Sequence, residues 1–304
     1  MSFTLAADTV WAKAGHEVAW AQFALPVKTP AVPRLVLNAL PAVRAAEGEK
    51  TIEVTGEDFR LVFDRWSGVV TSWLAGGVEL VLAGPRLNFW RAPVDNDVHL
   101  AQKWRQAGYD RLLHQVGRVE VAAAKKGAVR IEVESVINAY GGMTRFDCAC
   151  AYTVYGTGDV VIEARVTPAK NMPPLPKVGL QMTLPRAFDR FSWFGLGPHE
   201  CYSDRKESGR LGVYRSTVEK EFVNYVTPQE NGNKLDVRWA MLTDGRGRGL
   251  VAWGMPTLNV SAHHYTTEDF TNASHTYELV RRDETILNLD QAQAPLGSAS
   301  CGPG

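Results

Sequence analysis

Phe59-Arg-Leu-Val-Phe-Asp-Arg-Trp-Ser-Gly-Val-Val-Thr-Ser-Trp-Leu-Ala-Gly-Gly-Val-Glu-Leu-Val-Leu82 is the stretch that decides the fold. It divides into three short apolar runs, 59–63, 69–73 and 78–82, separated by Arg65-Trp-Ser-Gly68 and Ala75-Gly-Gly77. Turn residues at this spacing are what an antiparallel meander leaves in a sequence. The same rhythm returns at 128–137, at 144–155, after the Gly156-Thr-Gly-Asp159 turn at 160–167, and again at 179–184 and 249–254. A short helix is predicted only over 98–113, with Leu100 and Trp104 at i, i+4 spacing and Gly108 as its stop. So many strands with so little helix imply large antiparallel sheets packed face to face, an all-β fold.

Working outward, two strands are predicted before this region, over 2–5 and 16–25. Val18, Trp20 and Gln22 alternate there against Ala19, Ala21 and Phe23. Two strands cannot bury a core alone, so 1–25 reads as the end of another domain. Pro26-Val-Lys-Thr-Pro-Ala-Val-Pro33 carries three prolines in eight residues and favours an extended connector. The expected organisation is a fragment over 1–25, a linker over 26–50 and one large domain over 51–304.

The 304 residues carry 33 Lys plus Arg against 33 Asp plus Glu. That balance offers no long-range attraction for nucleic acid or an anionic membrane, and the basic residues are not striped beside aromatics. No run approaches the roughly 18 apolar residues of a membrane span, and the N-terminus lacks a signal-peptide pattern. Cys148 and Cys150 sit two apart on one strand face, and no spacing among Cys148, Cys150, Cys201 and Cys301 resembles a metal motif. Reduced, buried thiols in a cytoplasmic setting are the expectation.

Four polar clusters interrupt the strands. In Asn88-Phe-Trp-Arg-Ala-Pro-Val-Asp-Asn-Asp97, Pro93 forces an extended chain and Asp95-Asn96-Asp97 form a polar turn beside Arg91, which Asp95 or Asp97 is expected to hold. Such a cluster can present hydroxyl-binding groups to a sugar beside aromatics such as Trp90. Taken alone it favours turn caps and a tie between loops, because loop acids more often satisfy backbone amides than ligands. In the second cluster, Gly195-Leu-Gly-Pro198 calls for an unusual backbone and presents His199, Glu200, Asp204 and Arg205. A His beside a Glu invites an acid–base reading, yet neighbours on a strand point to opposite faces. Structural pairing of Arg205 with Asp204 or Glu200 and a binding role both stay open.

Thr227-Pro-Gln-Glu-Asn-Gly232 ends in a hairpin signal that accounts for Asn231 and Gly232 and leaves Glu230 unexplained. His263 and His264 diverge on a strand without a third ligand, so a hydrogen-bonded pair is favoured over metal. No nucleophile elbow, phosphate loop or dinucleotide fingerprint is present.

In order along the chain, these stretches resemble the C-terminal region of bacterial β-galactosidases of glycoside hydrolase family 2. The resemblance rests on Trp11-Ala-Lys-Ala-Gly-His-Glu-Val-Ala-Trp-Ala-Gln22, on Phe63-Asp-Arg-Trp-Ser-Gly-Val-Val-Thr-Ser-Trp73, on the first three polar clusters, and on Pro295-Leu-Gly-Ser-Ala-Ser-Cys-Gly-Pro303. It implies that 1–25 are the last strands of an immunoglobulin-like domain. Residues 51–304 would form a supersandwich similar to galactose mutarotase.

In that family a (β/α)8 barrel carries two glutamates about 5 Å apart that cleave terminal β-D-galactosides such as lactose with retention. No carboxylate of this chain matches them, so no catalytic residue is expected here. The resemblance implies a supporting role at the substrate opening, with the barrel and a galactoside as partners and homo-oligomers compatible. It places no cofactor in this segment, the Mg and Na of the family belonging to the barrel. Because loops at one rim of a sandwich converge, the expected sugar-facing patch gathers Arg91, Asp95, Asn96, Asp97, His199, Glu200, Asp204, Arg205, Glu230 and Asn231 beside Trp90 and Tyr202, with Cys301 standing where some members carry tryptophan. A piece of a longer polypeptide is the first expectation. A small subunit of a two-chain β-galactosidase and a free-standing mutarotase-like epimerase using His199 and Glu200 are the alternatives.

Overall fold

In the strand over 59–64, Phe59, Leu61 and Phe63 turn inward while Arg60 faces solvent, and the next turn is built by Asp64. Its carboxylate accepts from the Ser67 amide at 2.7 Å and the Ser67 hydroxyl at 2.6 Å, and Gly68 closes the loop at a positive φ of 66°. Gly76 and Gly77 both have positive φ, the backbone a two-residue hairpin demands. The first two runs therefore fold as the predicted strands, whereas the third keeps only Val78–Glu79 in strand before Leu80 and Val81 turn into the core.

The structure is a computed structural model that describes residues 1–28, 30 and 35–297. Two units emerge, 1–35 and 36–304. The first pairs β1 (Ser2–Thr4) with β2 (Glu17–Trp20) antiparallel. β2 is shorter than the expected 16–25: Ala21 closes the ladder on the Met1 carbonyl at 3.0 Å, and among the described residues no strand pairs with 22–25.

The second unit opens with a five-stranded meander of β3 (Arg44–Glu47), β4 (Thr51–Thr55), β5 (Phe59–Asp64), β6 (Val69–Ala75) and β7 (Val78–Glu79). β3 lies within the expected 26–50 linker, where Arg44–Glu47 pairs with β4. Then come β8 (Ala83–Asn88) and α1 (Val98–Ala107), which Gly108 ends in the left-handed conformation as expected. A second meander contains β9 (Leu112–Lys125), β10 (Ala128–Ala139), β11 (Arg145–Tyr155) and β12 (Val160–Pro168). The remaining strands are β13 (Lys177–Leu184), β14 (Arg190–Gly197), β15 (Arg210–Thr217), β16 (Lys234–Thr243), β17 (Gly249–His263) and β18 (Thr285–Gln293), with a short α2 (Thr267–Asn272) before β18. With β8 they form a seven-stranded sheet in the order β15-β14-β16-β17-β18-β13-β8.

One core joins Ile52, Leu61 and Phe63 to Ile131, Phe146 and Val154, with Trp104 of α1 wedged in, so the five- and four-stranded sheets share it. A second joins Met182, Trp193, Leu242, Val260 and Leu287 of the seven-stranded sheet to Leu80 and Val81. The opposite face of that sheet is polar although buried. Gln181, Asn288 and Ser261 form a hydrogen-bonded row across β13, β18 and β17, and Lys177 meets Asp290 at 3.1 Å with both side chains 1% exposed. The sheet thus has one dry face and one wired with side-chain hydrogen bonds, as buried polar groups require.

Cys148, Cys150 and Cys201 are free and buried. Burial pushes the Cys148 thiol up to about 12 and the Cys150 thiol up to about 11, which keeps them protonated and inert. No helix among the described residues is long and apolar enough to cross a membrane.

Candidate functional site

The polar clusters, far apart in sequence, meet at one end of the seven-stranded sheet. Asp95 donates its amide to Gln229 Oε1 at 3.0 Å, which ties the first cluster to the third. The second and third are laced by Cys201 N to Asn233 O at 2.7 Å, Asn233 Nδ2 to Cys201 O at 2.7 Å, and Gly232 N to Glu200 Oε2 at 2.7 Å. Residues 295–297 join through Arg91 Nη2 to Pro295 O at 3.3 Å and through Asp204, which accepts from the amides of Leu296 and Gly297.

This assembly has two layers. Arg91 and Asp97 form a fully buried ion pair, in which Asp97 also accepts the Val94 amide at 2.8 Å and Arg91 lies over Trp104. Glu200 is buried and takes hydrogen bonds from Arg205, Tyr225 and Gly232. Asn231 accepts the Val223 amide and donates to the Gln229 carbonyl. Glu230 is buried close enough to Tyr202 and Asp290 for its charge to raise both their pKa values. The accessible layer holds Asp95, Asp204, Arg205 and His199, with Asn96 half-buried. His199 hydrogen-bonds Ser208 at 2.8 Å, away from the carboxylate of Glu200.

Several expectations need correction. Trp90 and Tyr202 are not sugar platforms, since Trp90 is 4% exposed and packs edge-on to Trp104, while Tyr202 is 1% exposed. Arg91, Asp97 and Asn231 are turned inward onto protein partners, which leaves Asp95, Asn96, His199, Asp204 and Arg205 as the accessible members of the clusters. Asn231-Gly232 closes no hairpin between strands. Gly232 has a φ of 74°, and a Cβ there would sit 2.6 Å from the Glu221 carbonyl and 2.8 Å from the His263 ring. The unusual backbone expected of Gly195-Leu-Gly-Pro198 is the cis peptide bond between Gly197 and Pro198, while Gly195 and Gly197 lie in β14 and make room for Val237 and Tyr214. His263 and His264 diverge as expected, each bonded to a different carbonyl, of Asn231 and Glu284. Cys301 lies outside the described residues.

Burial dominates the electrostatics. It drives the Tyr202 phenol well above its usual value, with Glu230 and Glu200 adding to the effect. Asp290 is raised to about 6, mainly by burial, against the pull of Lys177 and with Glu230 pushing the same way as burial. His263 falls to about 4, burial outweighing its bond to Asn231. Gln229, Tyr225, Lys177 and Asp290 hold this layer together and were not legible as site residues. Gln229 lies within the third polar cluster, whereas Lys177 and Asp290 are 113 residues apart and carry no local signal.

Concavities of about 500 Å³ over β9–β12 and about 530 Å³ near Arg186 and Arg190 include none of these residues. Among the described residues no three His, Cys, Asp or Glu side chains gather to hold a metal ion. The arrangement is a polar rim of loops over a braced polar interior.

The family described as the β-galactosidase small chain matches residues 55–304. The chain belongs to this family. The model for domain 4 of β-galactosidase matches residues 1–26 of this small-chain family member. It is 36% identical to a β-galactosidase of Priestia megaterium over 98% of its own length and 28% of that protein. Against a β-galactosidase of Halalkalibacterium halodurans it is 31% identical, over 97% of this chain and 29% of the relative. A β-galactosidase of Kluyveromyces lactis is 29% identical over 96% of the chain and 28% of its own length. This small-chain family member thus spans a little over a quarter of the relatives it matches.

Proposed function

We propose that this chain is the C-terminal portion of a β-galactosidase, a retaining hydrolase of terminal β-D-galactosides such as lactose, and that it braces the substrate opening without cutting the bond itself. The observation that carries this reading is the state of its site glutamates. Retaining cleavage needs two carboxyl groups about 5 Å apart with access to the sugar. Glu200 is buried and already accepts three protein hydrogen bonds, and Glu230 is buried against Tyr202 and Asp290. The nucleophile and the acid/base are therefore assigned to a (β/α)8 barrel elsewhere in the polypeptide, with any Mg or Na. Residues 51–304 are taken as the mutarotase-like supersandwich, 26–50 as its connector and 1–25 as strands of an immunoglobulin-like domain. The accessible rim of Asp95, Asn96, His199, Asp204 and Arg205 would face the barrel mouth. A cytoplasmic, lactose-degrading setting is part of this reading, and the free, buried thiols are compatible with it.

The small-chain description of the matching family favours a second reading, a separate subunit beside a large catalytic chain. Both readings expect the purified chain to release no chromophore from a nitrophenyl galactoside above buffer. Mixing it with a large fragment that carries the barrel should restore turnover. Hydrolysis by the chain alone, lost in Glu200→Gln or Glu230→Gln, would overturn the assignment.

A further inference from the structure

Asp204 takes two consecutive backbone amides on its two carboxylate oxygens, Leu296 N on Oδ1 at 3.1 Å and Gly297 N on Oδ2 at 2.6 Å. Successive amides of an extended strand point to opposite sides, so one carboxylate can receive both only if the backbone bends around it, as in an anion nest. One residue earlier, the Pro295 carbonyl accepts from Arg91, whose other guanidinium nitrogen is bound to buried Asp97. One residue earlier again, Ala294 donates to the Pro176 carbonyl at 2.8 Å. Four consecutive residues are thus tied to three different parts of the fold, at Pro176, Arg91 and Asp204.

Asp204 is itself placed by a tight turn. Tyr202 and Arg205 exchange backbone hydrogen bonds across it, the Tyr202 side chain is buried, and Arg205 pairs with Glu200. Two loops separated in sequence by about a hundred residues therefore grip the same short segment, one by a charged carboxylate and one by a buried guanidinium.

We propose that Asp204 and the Arg91–Asp97 pair are positioning residues, a two-point clamp that fixes the backbone of residues 294–297 and through it the substrate affinity of the complete enzyme, without touching sugar. The clamp rests on the geometry above; its consequence for substrate rests on the reading that this rim faces the substrate opening.

Hydrogen exchange on the 304-residue chain tests the clamp by itself. In Asp204→Ala the amides of Leu296 and Gly297 should exchange at least about tenfold faster while β14 and β16 keep their protection. Asp204→Asn keeps one acceptor oxygen and should protect one of the two. Should Asp204→Ala weaken β14 and β16 as well, the near-isosteric Asn variant decides the matter. Unchanged exchange at 296 and 297 in both variants overturns the clamp. In the complete β-galactosidase polypeptide, Asp204→Ala should raise KM about tenfold with kcat altered less than about twofold, and Asp204→Asn should recover part of it. Faster exchange with unaltered KM and kcat would leave the clamp standing and refute the substrate-facing reading of the rim.

Discussion

Arg91 Nη1 lies 2.8 Å from Asp97 Oδ2 with neither side chain exposed to solvent, six residues apart on opposite sides of a proline turn. The pair closes the loop that follows β8 and supplies the donor to Pro295, so it serves the fold and the rim together. Removing one partner strands a buried charge. Arg91→Ala should cost about 3–5 kcal/mol, most of it the penalty of leaving Asp97 unpaired. Arg91→Lys keeps the charge without the planar fork and should recover only part of it. Urea unfolding of the three proteins checks this, and an unchanged midpoint in Arg91→Ala would show that Asp97 is solvated after all.

Two buried groups on the polar side of the seven-stranded sheet should oppose each other in acid. Asp290 titrates at about 6 when folded against 3.8 when unfolded, so the folded chain holds the extra proton and stability falls as pH rises through that window. His263 titrates at about 4 when folded against 6.5 when unfolded, so the unfolded chain holds the extra proton and stability rises with pH. Each contribution is on the order of a few kcal/mol. The two nearly offset between pH 4 and 6. His263→Gln should therefore make stability fall more, or rise less, across this range, and Asp290→Asn should make it rise more steeply. Stability measured by urea at half-unit pH steps tests both slopes, and parallel curves for all three proteins would contradict the assignment.

The strands were legible wherever their turns were chemically explicit. Asp64, Ser67 and Gly68 announce one turn and Gly76-Gly77 another, and α1 ends at Gly108 as its sequence says. β9 was missed, since its exposed tail of alanines and charges offers no alternation between Ala122 and Lys125. β14 was missed because Gly195 and Gly197 read as loop formers, whereas they let neighbouring side chains approach the sheet. The convergence of the polar clusters was predicted from the rule that loops at one end of a sandwich meet. Which members would be buried was not, because burial of Trp90, Arg91 and Asp97 depends on Trp104 of a helix that packs behind them. Likewise Lys177 and Asp290 pair only through the β13–β18 register, a long-range fact that no local pattern encodes.

The accessible rim alone should bind galactose weakly. Its polar groups are Asp95, Asn96, His199, Asp204 and Arg205, and three of these are already engaged: His199 by Ser208, Asp204 by residues 296 and 297, and Arg205 by Glu200. The aromatic residues of the same loops, Trp90 and Tyr202, are buried and offer no face for the apolar side of a sugar ring. A handful of exposed hydrogen bonds contributes about 0.5–1.5 kcal/mol each, against an association cost of at least about 4 kcal/mol. The balance corresponds to dissociation constants of about 1 mM or weaker. Titrating galactose into the chain by calorimetry, or by chemical shifts at the Asp95 and Gly297 amides, gives the number. Micromolar affinity would mean that the rim forms a complete sugar site without the barrel, and the bracing role proposed for it would have to be replaced by one in direct binding.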